Sequence, residues 1–298
     1  MAEKSGLPFS PFHAIIMSEV NRVTSLFRCP LCSAPLTRGE QGYLCPSGHC
    51  FDVAAAGYTH LLPANRKHSK NPGDDKAMVA ARSAFLDRGY YAPLRDALCA
   101  RVTEECKALP SPALLDSGCG EGYYTAGLYQ ALTQAGCAPQ IAGVDISKFA
   151  LRRAAKRLPQ GEFAVASVYH LPLADHSVDA LVNVFSPLAP EEFARVLRPG
   201  GLFCYVVPSA RHLWEMKQVL YAKPYENPVK REDYPGFVWQ GADEVRCTLS
   251  LSSSQDIMAL FGMTPYAWKT PKEGVDRLSA LDHLDCQAGF DIHVYRKQ

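Results

Sequence analysis

Three glycines spaced two apart, Gly118, Gly120 and Gly122, sit where the apolar run Ala113-Leu114-Leu115 leads through Asp116-Ser117 into a stretch of helical character from Ala126 to Leu132. The order is strand, tight loop, helix. Glycine is needed where a backbone turns with positive φ or comes against a ligand, because a Cβ would obstruct it. Three at one junction therefore predict a bound ligand. The dinucleotide fingerprint has its third glycine one residue later, as G-x-G-x-x-G, whereas this chain reads G-x-G-x-G with Asp116 just upstream.

That spacing resembles the first motif of the class I S-adenosylmethionine-dependent methyltransferases, although glycine-rich turns also occur as plain strand-to-helix connections. A second feature supports it. Ile141-Ala142-Gly143-Val144-Asp145 reads as another buried strand ending in a carboxylate, 29 positions beyond Asp116. A carboxylate at the tip of the second strand accepts hydrogen bonds from both ribose hydroxyls in doubly wound sheets. The competing role for Asp145 is an N-cap of the next helix, which Ser147 can fill instead.

A chain of 298 residues with 47% apolar content can bury one large core with an appendage, or two. Lys plus Arg is 31 against 30 for Asp plus Glu, so a polyanion would have to be met by a local basic patch. The eleven cysteines are odd in number and irregularly spread, with no signal peptide read before them. The expectation is a cytoplasmic protein whose cysteines are thiols or metal ligands. His13 to Val20 is broken by Ser18 and Glu19, too short and polar for a membrane span.

Residues 1–26 read as an extension, with an apolar stretch from Ala14 to Leu26 as a short helix. The segment 27–65 reads as a zinc-binding module. Cys29-Pro30-Leu31-Cys32 and Cys45-Pro46-Ser47-Gly48-His49 give C-x2-C-x12-C-x3-H. Two such pairs close a tetrahedron of thiolate and imidazole around one Zn²⁺, and four protein ligands leave no open position, so the metal is structural. Cys50 is an alternative to His49 as the fourth ligand; the C-x3-H spacing favours His49. So small a module cannot bury enough to fold alone, and the metal supplies much of its stability.

Residues 66–92 read as a linker and helix. The basic run Arg66-Lys67-His68-Ser69-Lys70 is either a solvated linker or a contact for RNA phosphates. Asp74 or Asp75 can cap a helix from Lys76 to Asp87, and Pro93 suits the first turn of the next helix, which opens the domain 93–298. The helix Phe149 to Leu158 carries Arg152, Arg153, Lys156 and Arg157 as a charged outer face. Strands are expected at Phe163–Ala166, Ala180–Phe185 and Leu202–Val207, the last after a Pro199-Gly200-Gly201 turn. This βα alternation dictates a mostly parallel sheet. Ligands of open α/β sheets bind outside the carboxyl ends of strands, so Ser167 and Asn183 to Pro187 should border the site. Further on, Arg211 opens a helix, Arg246 to Leu251 and Phe290 to Tyr295 read as strands, and Met263 to Lys269 covers the pocket.

Taken together, the Cys/His knuckle, Leu61-Leu62-Pro63, Pro72-Gly73-Asp74, Arg82 with Phe85-Leu86-Asp87, the loop Gly118 to Tyr124, Arg211-His212-Leu213 and Met263-Thr264-Pro265 resemble the 23S ribosomal RNA guanine-N1 methyltransferases of the RlmA type. The resemblance spans about residues 27 to 298. It implies a class I fold with an N-terminal zinc domain that helps recognise RNA. It implies zinc on Cys29, Cys32, Cys45 and His49, and a cofactor site lined by Tyr91, Tyr124, Thr125 and His212, joining Gly118, Gly120 and Asp145. The implied acceptor is guanine N1 in a domain II hairpin of 23S RNA, at about position 745 or 748, met as RNA or in a pre-ribosomal particle. A homodimer is compatible with it, and no membrane is involved.

Methylation at guanine N1 is an in-line displacement on a sulfonium methyl, and the N1 proton must leave before or during attack. No catalytic base stands out by spacing. A target base splayed from its stack would rest on an aromatic, with Phe185, Tyr225 and Trp239 as candidates. Two other functions fit the same residues: a small-molecule methyltransferase with a structural zinc module, and a non-catalytic zinc-dependent RNA-binding protein.

Overall fold

In the computed structural model, residues 23–39, 42–63, 73–228 and 231–298 are described. The basic run 66–70 and most of the proposed N-terminal helix lie outside them. The end of that apolar stretch is extended rather than helical: Val23–Arg28 forms β1. It pairs antiparallel with β2 (Pro35–Arg38), followed by β3 (Gly42–Leu44) and β4 (Cys50–Asp52), a four-stranded sheet in sequence order. Val23 and Thr24 are β-branched and pair with Arg38 and Thr37 of β2, a tertiary context that overrides a weak helical pattern.

Next comes β5 (Tyr58–His60), then α1 (Lys76–Asp87) and α2 (Ala92–Cys106). Asp75, not Asp74, caps α1, accepting from the backbone N–H groups of Ala77 and Met78. The core alternation follows: β6 (Ala113–Ser117), α3 (Tyr123–Gln134), β7 (Gln140–Asp145), α4 (Lys148–Arg157), β8 (Glu162–Val165), β9 (Val178–Val184), α5 (Pro190–Val196) and β10 (Leu197–Pro208). The chain ends with α6 (Trp214–Leu220), β11 (Phe237–Leu251), α7 (Ser254–Gly262), a 3-10 turn at Pro265–Trp268, α8 (Lys272–Ser279) and β12 (Leu284–Lys297).

The large sheet has the order β11-β12-β10-β9-β6-β7-β8-β5. From β5 to β10 its neighbours run parallel, and β12 and β11 add an antiparallel hairpin. β5 pairs with β8 although the sequence placed residues 58–60 inside the zinc module. Three residues carry too short a pattern to be read as a strand; the open edge of β8 supplies the pairing.

Successive residues of each strand point to opposite faces. Leu114, Ile141 and Phe163 pack with helices α1 to α4 on one face, while Leu115, Ala142, Val144 and Ala164 pack on the other. That second face is covered by α5, through Phe193 and Val196, and by the knuckle itself through Phe27, Leu36 and Tyr43. The knuckle therefore takes the place of a helical layer and shares a core with the sheet.

Candidate functional site

The carboxyl ends of β6 to β10 surround a cavity of about 990 Å³. Its floor is the glycine loop, where Gly118, Gly120 and Gly122 all have positive φ, at 79°, 53° and 78°. Two of them are also sterically obliged to be glycine. A Cβ on Gly118 would lie 1.8 Å from Ser186 Oγ, and one on Gly122 would lie 2.9 Å from Ala154 Cα. Gly120 differs, since no atom of the described residues lies within 4 Å of its Cβ position, and it lines the cavity.

Asp145 ends β7 and is half-buried at the cavity wall. Its Oδ2 accepts the Gly120 N–H at 2.9 Å and its Oδ1 the Ser147 N–H at 2.7 Å. Ser147, in turn, caps α4 by accepting from Ala150 N at 3.3 Å. The capping role thus falls to the serine, and the aspartate is left facing the cavity with the remaining lone pairs of both oxygens. Burial raises its pKa, opposed by the two backbone N–H groups. Asp116, at the end of β6, is pushed up to about 7 by burial, partly offset by a 2.5 Å hydrogen bond donated by Thr125. Glu121 is likewise raised to about 7 by burial, although Arg157 contacts it at 3.1 Å and Ser83 donates to it.

Tyr91, Gly118, Gly120, Tyr124, Asp145 and His212 all line this cavity. Thr125 does not: it is completely buried behind Asp116, which it holds in place. The Tyr124 hydroxyl is buried without a hydrogen-bond partner among the described residues, an orphaned polar atom in a cavity wall that suits a polar ligand. Nδ1 of His212 stands 2.9 Å from the Gly289 carbonyl, so Nδ1 carries the proton and donates it. Burial lowers the His212 pKa to about 4, keeping the ring neutral.

The wall after β8 is Ala166, Ser167, Val168, Tyr169 and His170, and the wall after β9 is Phe185, Ser186 and Pro187. Phe185 has φ 52°, a strained position for a bulky side chain, and it remains 48% exposed beside Phe290. Trp239 is not at the cavity: it lies on β11 with the opposite core, under Arg231. Met263 to Tyr266 close one side. The sequence reading missed Gly73 and Asp74, with Asp74 ion-paired to Arg82, and Asn227. Gly73 has φ 76° and packs on Ile146 and Ser147, but nothing in its local pattern points across to a strand 70 residues away.

In the knuckle, ligand atoms of Cys29, Cys32, Cys45 and His49 lie within 4.8 Å of one another. Nδ1 of His49 is 3.5 Å from Cys29 Sγ and 3.4 Å from Cys45 Sγ, and Cys32 Sγ is 3.7 Å from Cys45 Sγ. A tetrahedron with Zn–S bonds of about 2.3 Å has edges of about 3.8 Å, so the four groups fit zinc. Cys50 is exposed and turned toward the Gly48 carbonyl at 3.6 Å, outside the cluster. Cys32 is drawn down to about 6 by the Ala34 backbone N–H first and the Ser47 side chain next, which favours the thiolate a metal needs.

The family model described as "RlmA, N-terminal" matches residues 27–70, and one described as "Methyltransferase domain" matches residues 115–205. A 23S rRNA (guanine(748)-N(1))-methyltransferase of Streptomyces fradiae is 35% identical over 265 residues, covering 87% of this chain and 92% of that protein. A putative 23S rRNA (guanine-N(1)-)-methyltransferase of Micromonospora griseorubida is 35% identical over 280 residues, covering 85% and 91%. A Bacillus subtilis protein of the same description is 30% identical over 280 residues, covering 92% and 98%. Among the described residues no helix is long and apolar enough to cross a membrane. With a metal-ready knuckle, a glycine-loop cavity and likeness along nearly its whole length, the chain belongs to the 23S rRNA (guanine-N1)-methyltransferase family.

Proposed function

We propose that this protein methylates N1 of one guanine in a domain II hairpin of 23S rRNA, at about position 745 or 748, using S-adenosylmethionine. The observation that carries the reading is the arrangement of one cavity: a nucleoside-binding wall of Gly120 and Asp145 faces an open aromatic, Phe185, across the strand ends. Gly118 and Gly120 admit the donor, Asp145 takes its ribose hydroxyls, and Tyr91, Tyr124 and His212 line the remainder. Thr125 acts one step back, through Asp116. Bound there, the donor supplies an electrophilic methyl on a cationic sulfur.

The chain's own work is orientation and exclusion of water. Phe185, exposed and at the end of β9, offers a face on which a splayed guanine stacks. Tyr225 is equally exposed but lies over Lys217, and Trp239 is remote. Cys29, Cys32, Cys45 and His49 hold one structural Zn²⁺. The knuckle and the methyltransferase domain together meet the acceptor, on free RNA or a pre-ribosomal particle, with a homodimer as the working assembly. Incubation with hairpin transcripts and labelled donor, with primer extension to map the product, tests the proposal. A stop at one guanine supports it; label appearing only on small acceptors, or hairpin binding without turnover, overturns it.

A further inference from the structure

The side chain of Lys217 has no exposed surface, and among the described residues no carboxylate pairs with it. Its Nζ donates to the Tyr225 carbonyl and to Asn227 Oδ1, each at 2.8 Å. It also lies 4.6 Å from the Tyr225 ring centroid and 5.3 Å from that of Tyr266. An ammonium buried among carbonyls and ring faces is costly to desolvate, and burial lowers its pKa. Glu226 acts on it electrostatically without an ion-pair contact among the described residues, so such a group next to a cavity can serve a closer anion.

Its neighbours show where that anion would sit. A lysine only donates, so the contact at Oδ1 fixes the Asn227 amide with its nitrogen pointing away from the lysine. One Nδ2 hydrogen goes to the Ser209 carbonyl at 2.8 Å, and the Asn227 backbone N–H is tied to the Ala210 carbonyl at 2.8 Å. The second Nδ2 hydrogen is turned toward the Tyr266 hydroxyl oxygen, so amide and phenol form one polar pair in the cavity wall. Asn227 and Tyr266 both line the cavity, and burial raises the Tyr266 phenol, keeping its O–H as a donor. The charged and titratable groups around Lys217 are Tyr225, Tyr266, Glu226 and the neutral His212.

We propose that the pair formed by the Asn227 amide and the Tyr266 hydroxyl binds O6 of the acceptor guanine through the Tyr266 O–H, and that Lys217 is the positioning residue that orients the amide and stabilises the negative charge developing on O6. This rests on the guanine-N1 reading above. The balance is simple. Guanine loses its N1 proton to water, leaving an anion shared between N1 and O6. The N1 electron pair then forms the bond to methyl carbon while the C–S pair stays on sulfur, so anion and sulfonium become neutral methylguanine and neutral thioether. His212, with a pKa near 4, is a poor proton acceptor, so catalysis falls to donors aimed at the anion.

Two variants test it, each assayed on the hairpin transcript at saturating donor. K217M removes the cation; N227D gives Lys217 a carboxylate partner while replacing the N–H donor with an acceptor that draws the Tyr266 O–H away from O6, and its Tm is recorded beside kcat because the Ser209 carbonyl loses a donor. Losing a donor aimed at developing charge costs about 100- to 1,000-fold in kcat, and that is expected of N227D with donor uptake by calorimetry unchanged. K217M is expected to lower kcat more than it raises KM and to move the pH profile of kcat about one unit or more to higher pH. If N227D folds and keeps kcat within about threefold of wild type, with the K217M profile unmoved, the inference falls while the guanine-N1 reading stands. If the wild-type protein itself leaves guanine N1 unmodified, both fall.

Discussion

Tyr43, on β3 of the metal knuckle, donates a 3.1 Å hydrogen bond to the carboxylate of Glu162, the first residue of β8 in the large sheet. Glu162 also accepts from the Ser25 hydroxyl and, at 3.1 Å, from the Leu26 N–H. One side chain of the sheet is thus gripped three times by the knuckle. Arg28 N–H adds a 2.7 Å bond to the Pro172 carbonyl, in the connection that leaves the cavity wall at His170.

Removing the metal should therefore loosen more than the knuckle. Chelation at neutral pH is expected to lower the Tm of the whole chain in one transition, and calorimetry checks it. Two separate transitions, with the upper one unmoved, would refute a shared core. Glu162→Ala should destabilise even with metal present, by about 1–3 kcal/mol, because the buried Tyr43 and Ser25 donors lose their acceptor.

Cofactor uptake should depend on pH through Asp116. Burial sets its pKa to about 7 against an ordinary 3.8, so the fold alone gains stability from this group below pH 3.8 and loses it as pH rises through about 7. A cationic ligand favours the ionised carboxylate. Affinity for the donor should then rise roughly tenfold per unit as pH climbs toward 7 and level off above it. Asp116→Asn should flatten the Asp116 share of that curve; titration calorimetry from pH 5.5 to 8.5 would show it.

The glycines should separate by mutation. Gly118→Ala meets Ser186 at 1.8 Å as well as a positive φ, so it should lower Tm and abolish donor binding together. Gly120→Ala meets no atom of the described residues within 4 Å and carries only the cost of its φ, about 1 kcal/mol. It should fold and still bind donor poorly, since the added methyl points into the cavity. Thermal melts paired with calorimetry distinguish the two.

Phe185→Ala should leave donor affinity intact and cut kcat/KM on the hairpin by about 10- to 100-fold, the usual worth of one base stacked on an aromatic. Trp239→Ala, on the far core, should change Tm and not kcat/KM. Equal losses in both would count against a stacking role for Phe185.

Much of the site could be read before any coordinates. The loop from Asp116 to Thr125 is local, since its glycines, strand and helix lie within a dozen residues, and its meaning is stamped on consecutive positions. Asp145 followed because strand alternation carries it to the same edge. The knuckle's ligands obey a spacing that chemistry dictates. What escaped depends on distance along the chain: β5 becomes a strand only because β8 offers an edge, and Asn227 reaches the cavity, beside Lys217, only when its segment folds back on Ser209 and Ala210. Thr125 shows the limit from the other side. It stands next to the loop, yet its hydroxyl turns inward to Asp116, and no pattern of residue types distinguishes the two directions.

The pairing of Tyr58–His60 with β8 has a consequence for biosynthesis. Ribosomes deliver the knuckle first, and its landing surface of Ala142, Val144 and Ala164 emerges some hundred residues later. Through that interval Phe27, Leu36 and Tyr43 have one another but not the sheet face they later cover, so an early grip on zinc by the segment's thiols and imidazole would keep it orderly, and unoxidised, until the rest of the polypeptide arrives.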